Sequence, residues 1–456
     1  MTGAYFVDQL EARGLDPADI PITAALFATA LAGFATLRTT LPEHAWWVPG
    51  RLEVFGKHTD YAGGRSLVAA VPRGFAFLGS PRSDQSIHLF DSRSGERTVI
   101  DSSPAAVGWR HYADVVIARL ARNFPGARRG ADIAFASNLP RASGMSSSSA
   151  LVVGIASVLV RLWCLTNRAA WRESITDSTA LATYYAALES GLAFGGFEGD
   201  AGVGTHGGSE DHAAMLLAAP GSLTAFSFVP MRRIVDVPVP DEWRFVIAAS
   251  GVTAEKTGAA RNAYNRLSEA ASILLRLWNA RGEPSPSLAA ALASDPSAAD
   301  ALRELIGARK IPGWTPQMLE QRLEHFRRED ARVPEAVRGF QELDSTSLGA
   351  IGEASQRDAE RLLGNQIPQT SALARRAREC GALAASSFGA GFGGSVWALV
   401  EREQAAEFAV DWLGRYRLGD APEGALSFVA IPGPPVIELS SFPTTPPSLP
   451  SRGGSG

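Results

Sequence analysis

Two cysteines in 456 residues, Cys164 and Cys380, leave nothing from which to build a disulfide framework or a four-thiolate zinc site. Histidine is almost as sparse, with seven scattered residues and no pair at a clear metal-ligand spacing. Basic charge is not in excess: 43 Lys and Arg stand against 47 Asp and Glu, for a net charge of −4. No global field therefore favours nucleic acid or anionic lipid, and an anionic ligand must be met by local donors. The apolar helical stretch from Ala150 to Leu165 has about 16 residues and carries Arg161, too short to span a bilayer. The N-terminus lacks the basic stretch and cleavage site of a signal peptide. These absences predict a reduced, cytoplasmic protein with neither a nucleic-acid nor a membrane partner, and the chain is expected to be a monomer.

What is present is an ordinary globular composition, 46% apolar and 20% charged, in a chain long enough for two domains. Residues 1–40 read as one or two helices. Trp46–Phe55 and Ser66–Val71 have extended character, joined by the His58–Gly64 turn. A hairpin over Ile87–Phe90 and Thr98–Ile100, a helix over His111–Asn123 and a strand over Ala131–Ala136 follow. Strands are expected again at Leu223–Phe228 and Phe245–Ser250, then helices over Gly258–Asn279 and 300–335. The expected division is an N-terminal unit over 1–220 with a helical extension, a C-terminal unit over 221–435, and a disordered Pro/Ser/Gly-rich tail over 436–456.

The most informative stretch is Pro140-Arg-Ala-Ser-Gly-Met-Ser-Ser-Ser-Ser-Ala-Leu151. Small residues admit a ligand close to the backbone. Ser146, Ser147 and Ser148 stand where a helix begins, so free N–H groups and the positive end of the helix converge on one spot suited to a triphosphate. Hydroxyls placed there can also ligate magnesium. The plainer reading is a serine-rich cap on a buried helix. A Walker loop is not present, because Gly251–Thr257 lacks the glycine required before Lys256. Gly389, Gly391 and Gly394 satisfy G-x-G-x-x-G, but strand-like Ser395–Val400 follows where a dinucleotide fold needs a helix.

Pro140–Ala150 resembles the second signature of the GHMP small-molecule kinases, P-x-G-x-G-L-S-S-S-A-A, departing at Ala142, Met145 and Ser149. Pro49–Gly64 resembles the galactokinase signature G-R-x-N-x-I-G-E-H-T-D-Y-N-G-G, and Ser386–Gly394 is similar to the third GHMP signature. Gly208-Ser-Glu-Asp211-His has the spacing of the family segment G-x-M-D-Q. Trp109 and Tyr112 are similar to a W-x-x-Y segment, and Tyr264-Asn-Arg to Y-N-x-R-R.

The resemblance implies an ATP- and Mg2+-dependent sugar kinase that phosphorylates the anomeric hydroxyl of galactose or a close relative. It implies two α+β domains, one similar to ribosomal S5 domain 2 and one ferredoxin-like. Arg51 and Asp211 are the implied catalytic pair, with Asp211 as base or electrostatic orienter. Lys57, His58, Asp60, Gly208 and Tyr264 are implied to bind the sugar. Trp109, Gly144, Ser146, Ser147, Ser148 and Gly391 are implied to bind ATP, and Ser148 with Glu189 the metal, Glu198 and Asp200 being competitors for the carboxylate.

Within the sugar motif, Glu53 replaces the family asparagine and Lys57 the family glutamate. Either Lys57 meets a carboxylate on the substrate, as a galacturonate would offer, or it and Glu53 neutralise each other away from the sugar. A pentose 1-kinase, a kinase of a mevalonate-like alcohol, and a non-catalytic sugar- and ATP-binding sensor are the remaining readings.

Overall fold

The computed structural model describes residues 4–100, 108–141, 143–252, 258–282, 284–419 and 421–439. Among the described residues twelve strands run in chain order: β1 (His44–Phe55), β2 (Arg65–Pro81), β3 (Ile87–Asp91), β4 (Glu96–Ile100), β5 (Ala131–Ser137), β6 (Ser222–Ser227), β7 (Arg232–Pro238), β8 (Trp243–Ala249), β9 (Ala384–Phe388), β10 (Ser395–Glu401), β11 (Leu426–Ala430) and β12 (Ile437–Leu439). They form an eight-stranded sheet with the path β12-β1-β2-β5-β3-β4, extended by β6 on β2 and β7 on β6, and a four-stranded sheet ordered β11-β8-β10-β9.

Period-two alternation along β1 explains why the large sheet is covered on both faces. Ala45 and Trp47 pack with Leu26, Phe27 and Phe34 of the N-terminal helices, whereas Trp46 and Val48 join the main core with Val158 and Leu162 of the Ser147–Leu162 helix. Gly154 lets that helix close on the sheet, since a Cβ there would lie 2.0 Å from the Phe77 ring. The stretch Pro17–Phe34 is apolar and long enough to cross a membrane by composition, and its buried side chains, Leu26, Phe27, Ala30 and Phe34 among them, pack in the core beneath β1.

The small sheet follows the order strand, helix, strand, strand, helix, strand, and its sequence 4-1-3-2 is that of a ferredoxin-like unit. Pro368–Glu379 and Ala405–Arg417 cover one face, fixed by Trp412 Nε1, which donates to Leu373 O at 3.0 Å. From the other face Trp397 meets Phe55 edge-on at 5.5 Å, joining the two sheets in one core. The expected α+β architecture is what the chain adopts.

The break expected at 220/221 does not coincide with a change of sheet. Strands β6 and β7 follow it yet hydrogen-bond to the first sheet, with Arg65 opposite Ser227 and Val68 opposite Thr224. The change of sheet comes between β7 and β8. Strand β12 likewise returns to β1, pairing Trp47 with Ile437, so ordered structure runs into the stretch expected as tail. Residues 440–456, Ala142 and the Thr253–Thr257 part of the rejected Walker comparison lie outside the described residues.

Candidate active site

A cavity of 440 Å³ opens between the two sheets. Three backbone devices shape it. First, the β1–β2 register shifts between Pro49 and Arg51, so Arg51 N leaves the ladder and donates to Met145 O at 3.2 Å, which draws β1 against the serine loop. Second, Ser146 sits at φ 57 immediately before the Ser147–Leu162 helix, so Ser147 and Ser148 occupy its first turn with their N–H groups free of helical partners. Third, the Gly389–Gly394 connection is a β9–β10 hairpin loop laid on the serine loop. A Cβ on Gly389, at φ 84, would lie 2.6 Å from Gly144 O. Strand β10 after this loop removes the dinucleotide reading of the same glycines.

Arg51 and Asp211, far apart in sequence, meet at the centre. Arg51 Nε donates to Asp211 Oδ1 at 2.6 Å, and Ser149 Oγ donates to Asp211 Oδ2 at 3.1 Å. Asp211 lies in the first turn of the Glu210–Leu217 helix, where the helix end favours a carboxylate. The guanidinium is engaged on every side: Nη1 donates to Gly144 O at 3.0 Å, Nη2 is 3.5 Å from Glu53 Oε2, and Nε is also 3.2 Å from Glu210 Oε1. Burial works against its charge, but Asp211, Glu210 and Glu53 outweigh burial and hold it far above the ordinary arginine range.

At one end of the cavity stand His58, Asp60, Tyr61, Gly208 and Tyr264. Asp60 Oδ2 accepts from the Glu210 N–H at 3.1 Å, capping the helix that carries Asp211. Gly208 makes this possible, since a Cβ there would fall 2.2 Å from the same oxygen. Burial pushes the Asp60 carboxyl up and lifts the Tyr264 hydroxyl well above its usual range, so Tyr264 is a donor at any neutral pH. His58 Nδ1 lies 3.0 Å from the Tyr61 hydroxyl, and its ring faces Tyr264 at 5.4 Å. Buried Arg322 fixes this turn from the Pro316–Gln341 helix, donating to His58 O at 2.5 Å and to Tyr61 Oη at 3.1 Å. At the other end Trp109, Phe75 and Phe135 form an apolar wall, with Trp109 Nε1 tied to Glu96 Oε2 at 2.7 Å. Gly144, Ser146, Ser147, Ser148 and Gly391 line the cavity between the two ends.

Glu189 also lines the cavity, at the end of the Ser178–Ser190 helix. Its Oε2 is buried and without a hydrogen-bond donor, with His212 Nε2 3.2 Å away. Glu198 and Asp200 do not line the cavity. Asp200 is held by Arg119 at 3.2 Å and Arg122 at 2.9 Å, and Glu198 is exposed. Among the described residues no group of three or more His, Cys, Asp and Glu is arranged to hold a metal by itself.

Lys57 departs from expectation. It is 0% exposed and turned away from the cavity, donating to Ser355 Oγ at 2.5 Å and Ser386 Oγ at 2.9 Å, with Glu329 Oε1 at 3.8 Å. The reason is local: Gly56 at φ 102 ends β1, and Lys57 is directed onto the Pro316–Gln341 helix while His58 is directed into the cleft. Burial lowers the Lys57 pKa, opposed first by Glu329 and then by Glu53. The expected contact with the sugar, and the substrate carboxylate argued from it, are corrected accordingly. Cavity or supporting groups not assigned from sequence include Ser149, Phe75, Phe135, Glu210, Tyr61 and Arg322. Glu210 and Tyr61 stood inside quoted motifs, whereas Arg322 gave no local signal.

Residues 111–218 match the GHMP kinases N terminal domain, and residues 336–416 match the GHMP kinases C terminal domain, which defines the class as small-molecule kinases. Residues 34–81 match the galactokinase galactose-binding signature. The chain belongs to the GHMP kinase family, as a galactokinase-like member. It is 28% identical over 385 residues to the galactokinase of Streptomyces coelicolor, covering 81% of this chain and 87% of that one. To the galactokinase of Haemophilus influenzae it is 26% identical over 379 residues, covering 80% and 87%. Among solved structures, Lactococcus lactis galactokinase complexed with galactose shares the fold with a TM-score of 0.74 at 22% identity, covering 90% of this chain and 99% of that one. Methanococcus jannaschii mevalonate kinase shares it with a TM-score of 0.56 at 14% identity, covering 86% and 99%.

Proposed function

We propose that the protein is an ATP-dependent galactose 1-kinase, monomeric and cytoplasmic, using Mg2+. The observation that carries this reading is the Asp211 carboxylate, held between Arg51 Nε and Ser149 Oγ at the mouth of the serine helix and lining the cavity. The triphosphate lies against the first turn of the Ser147–Leu162 helix, with the Gly389–Gly394 loop above it and the base on the Trp109 side. The sugar lies among His58, Asp60, Tyr61 and Tyr264. The anomeric oxygen attacks the γ-phosphorus, the bond to the β-phosphate oxygen breaks, and ADP leaves. Asp211 orients the hydroxyl and receives its proton, while Arg51 offsets the charge that builds on the transferred group. Held by Arg51 and Ser149 in one fixed position, Asp211 contributes more by orienting the hydroxyl than by basicity.

Ser148 and Glu189 fit the needs of magnesium, a hard cation that takes one or two protein oxygens and completes its shell with phosphate and water. Glu189, which lines the cavity and whose buried Oε2 accepts no hydrogen bond, is the observation in favour. When bound, the ion would neutralise phosphate charge. Lys57 contributes a structural cation and no sugar contact, which favours galactose over a uronic acid.

The test is coupled ADP release from ATP across hexoses, uronic acids and pentoses. Galactose is expected to give the highest kcat/KM and galacturonate little. ADP release with no sugar dependence would contradict the reading, and turnover best with a pentose would redirect it.

A further inference from the structure

Glu53 is the residue of this site whose chemistry the mechanism above leaves unused. It is 2% exposed on β1. Its Oε2 accepts from the Gly389 N–H at 2.7 Å and lies 3.5 Å from Arg51 Nη2, so one oxygen atom ties the arginine of the first sheet to the glycine loop of the second. Its Oε1 is buried with no hydrogen-bond partner. A lone buried carboxylate oxygen is costly as an anion but is a ready seat for a proton. The other Arg51 nitrogens are committed, Nε to Asp211 and Nη1 to Gly144 O. Nη2, held only at 3.5 Å, is the nitrogen of this planar group with N–H donors left for a phosphoryl group.

We propose that Glu53 is a positioning residue for Arg51: it takes up a proton when nucleotide enters, releases Nη2 to the phosphoryl group, and keeps Gly389 N–H on its carbonyl oxygen. This rests on the ATP-kinase reading. The proton comes from solution, and no other bond is made. The groups facing Glu53 are Arg51 on β1, Lys57 beyond its end, Glu329 of the Pro316–Gln341 helix, Glu210 of the Glu210–Leu217 helix and the Gly389 N–H. Burial, opposed by Arg51, Lys57 and Gly389 N–H and aided by Glu329, pushes the carboxyl up to about 7, so both forms are accessible at neutral pH. An arriving phosphate adds negative charge beside a carboxylate that already competes for Arg51. Protonating Glu53 removes that competition while the loop contact survives.

The experiment is titration calorimetry of the full-length wild type with ATP, without sugar, at about pH 8 in buffers of different ionisation enthalpy. It is paired with KM for ATP against pH, and with Glu53→Gln and Glu53→Asp. The wild type should take up about one proton per ATP, and its KM should rise about tenfold per pH unit above neutrality. Glu53→Gln, which keeps the acceptor for Gly389, should abolish both effects, and Glu53→Asp should restore a pH dependence. A residue that merely anchors the loop would lower Tm without moving the proton count. ATP binding by the wild type without proton uptake, or an unchanged linkage in Glu53→Gln, overturns the proposal. That wild-type measurement stands even if a variant fails to fold. Failure of ATP to bind at all overturns the kinase reading itself, and this proposal with it.

Discussion

Arg51 Nε lies 2.6 Å from Asp211 Oδ1, and this contact, with Glu210 Oε1 at 3.2 Å from the same nitrogen, joins strand β1 to the helix at Glu210–Leu217 beside the cavity. Around it the serine helix, the last glycine loop and the His58–Tyr61 turn converge, although they are scattered through the chain. The predictions below each probe one of these junctions.

Gly389 and Gly144 touch backbone to backbone, so the interlock of the two loops is steric. Gly389→Ala would place a Cβ 2.6 Å from Gly144 O and 2.8 Å from Gly144 Cα at φ 84, and neither backbone atom can give way as a side chain would. Strain of roughly 1–3 kcal/mol is expected, with a lowered Tm and a KM for ATP raised about tenfold. Gly282→Ala, where a Cβ meets nothing within 4 Å, is the control and should change neither.

Lys57 serves the fold. Its ammonium sits with Glu329, which Arg332 also holds, Nη1 donating to Oε2 at 2.8 Å. Removing one charge from a buried set leaves its partners uncompensated, so Lys57→Met should destabilise by about 3 kcal/mol in denaturant unfolding. The ratio of kcat/KM for galactose to that for galacturonate should stay as in the wild type. A changed ratio would return Lys57 to the sugar site.

Glu189 should govern the metal requirement. Glu189→Gln keeps the shape but withdraws the anionic oxygen, so the Mg2+ concentration for half-maximal turnover should rise about tenfold, with KM for galactose little altered. An unchanged magnesium dependence would remove Glu189 from the metal site.

How much of this could be read beforehand follows from the range of each signal. The serine helix start, the last glycine loop and the His58–Tyr61 turn are short contiguous motifs, whose chemistry depends on local backbone that the sequence spells out. The α+β class came with the resemblance to the GHMP kinases that those motifs carry, and strand and helix periodicity marked only the separate elements. The fate of Lys57 did not, because it depends on which side of the Gly56 turn faces the Pro316–Gln341 helix, and that helix lies far along the chain. Arg322 was invisible for the same reason: its partners His58 O and Tyr61 Oη are 264 and 261 residues away. Leu223–Phe228 looked like the start of a second unit because it follows a turn at Gly221, whereas the sheet of β6 is decided by pairing with β2, and β7, which pairs with β6, was not read from the sequence. Glu198 and Asp200 stood as competitors to Glu189, which the resemblance favoured by its place on a helix. Only the fold separates a carboxylate on the cavity from one spent on Arg119 and Arg122.

The most direct test of the account is turnover of ATP and galactose by Asp211→Asn, measured beside calorimetric binding of each ligand. The amide keeps the size of the side chain and can still accept from Arg51 or Ser149, but it cannot take the proton of the sugar hydroxyl. Binding of both ligands should remain within a few-fold of wild type while kcat falls by about 10²–10⁴. Undiminished sugar-1-phosphate formation in a variant that binds both ligands normally would contradict the role given to Asp211 and the mechanism built on it.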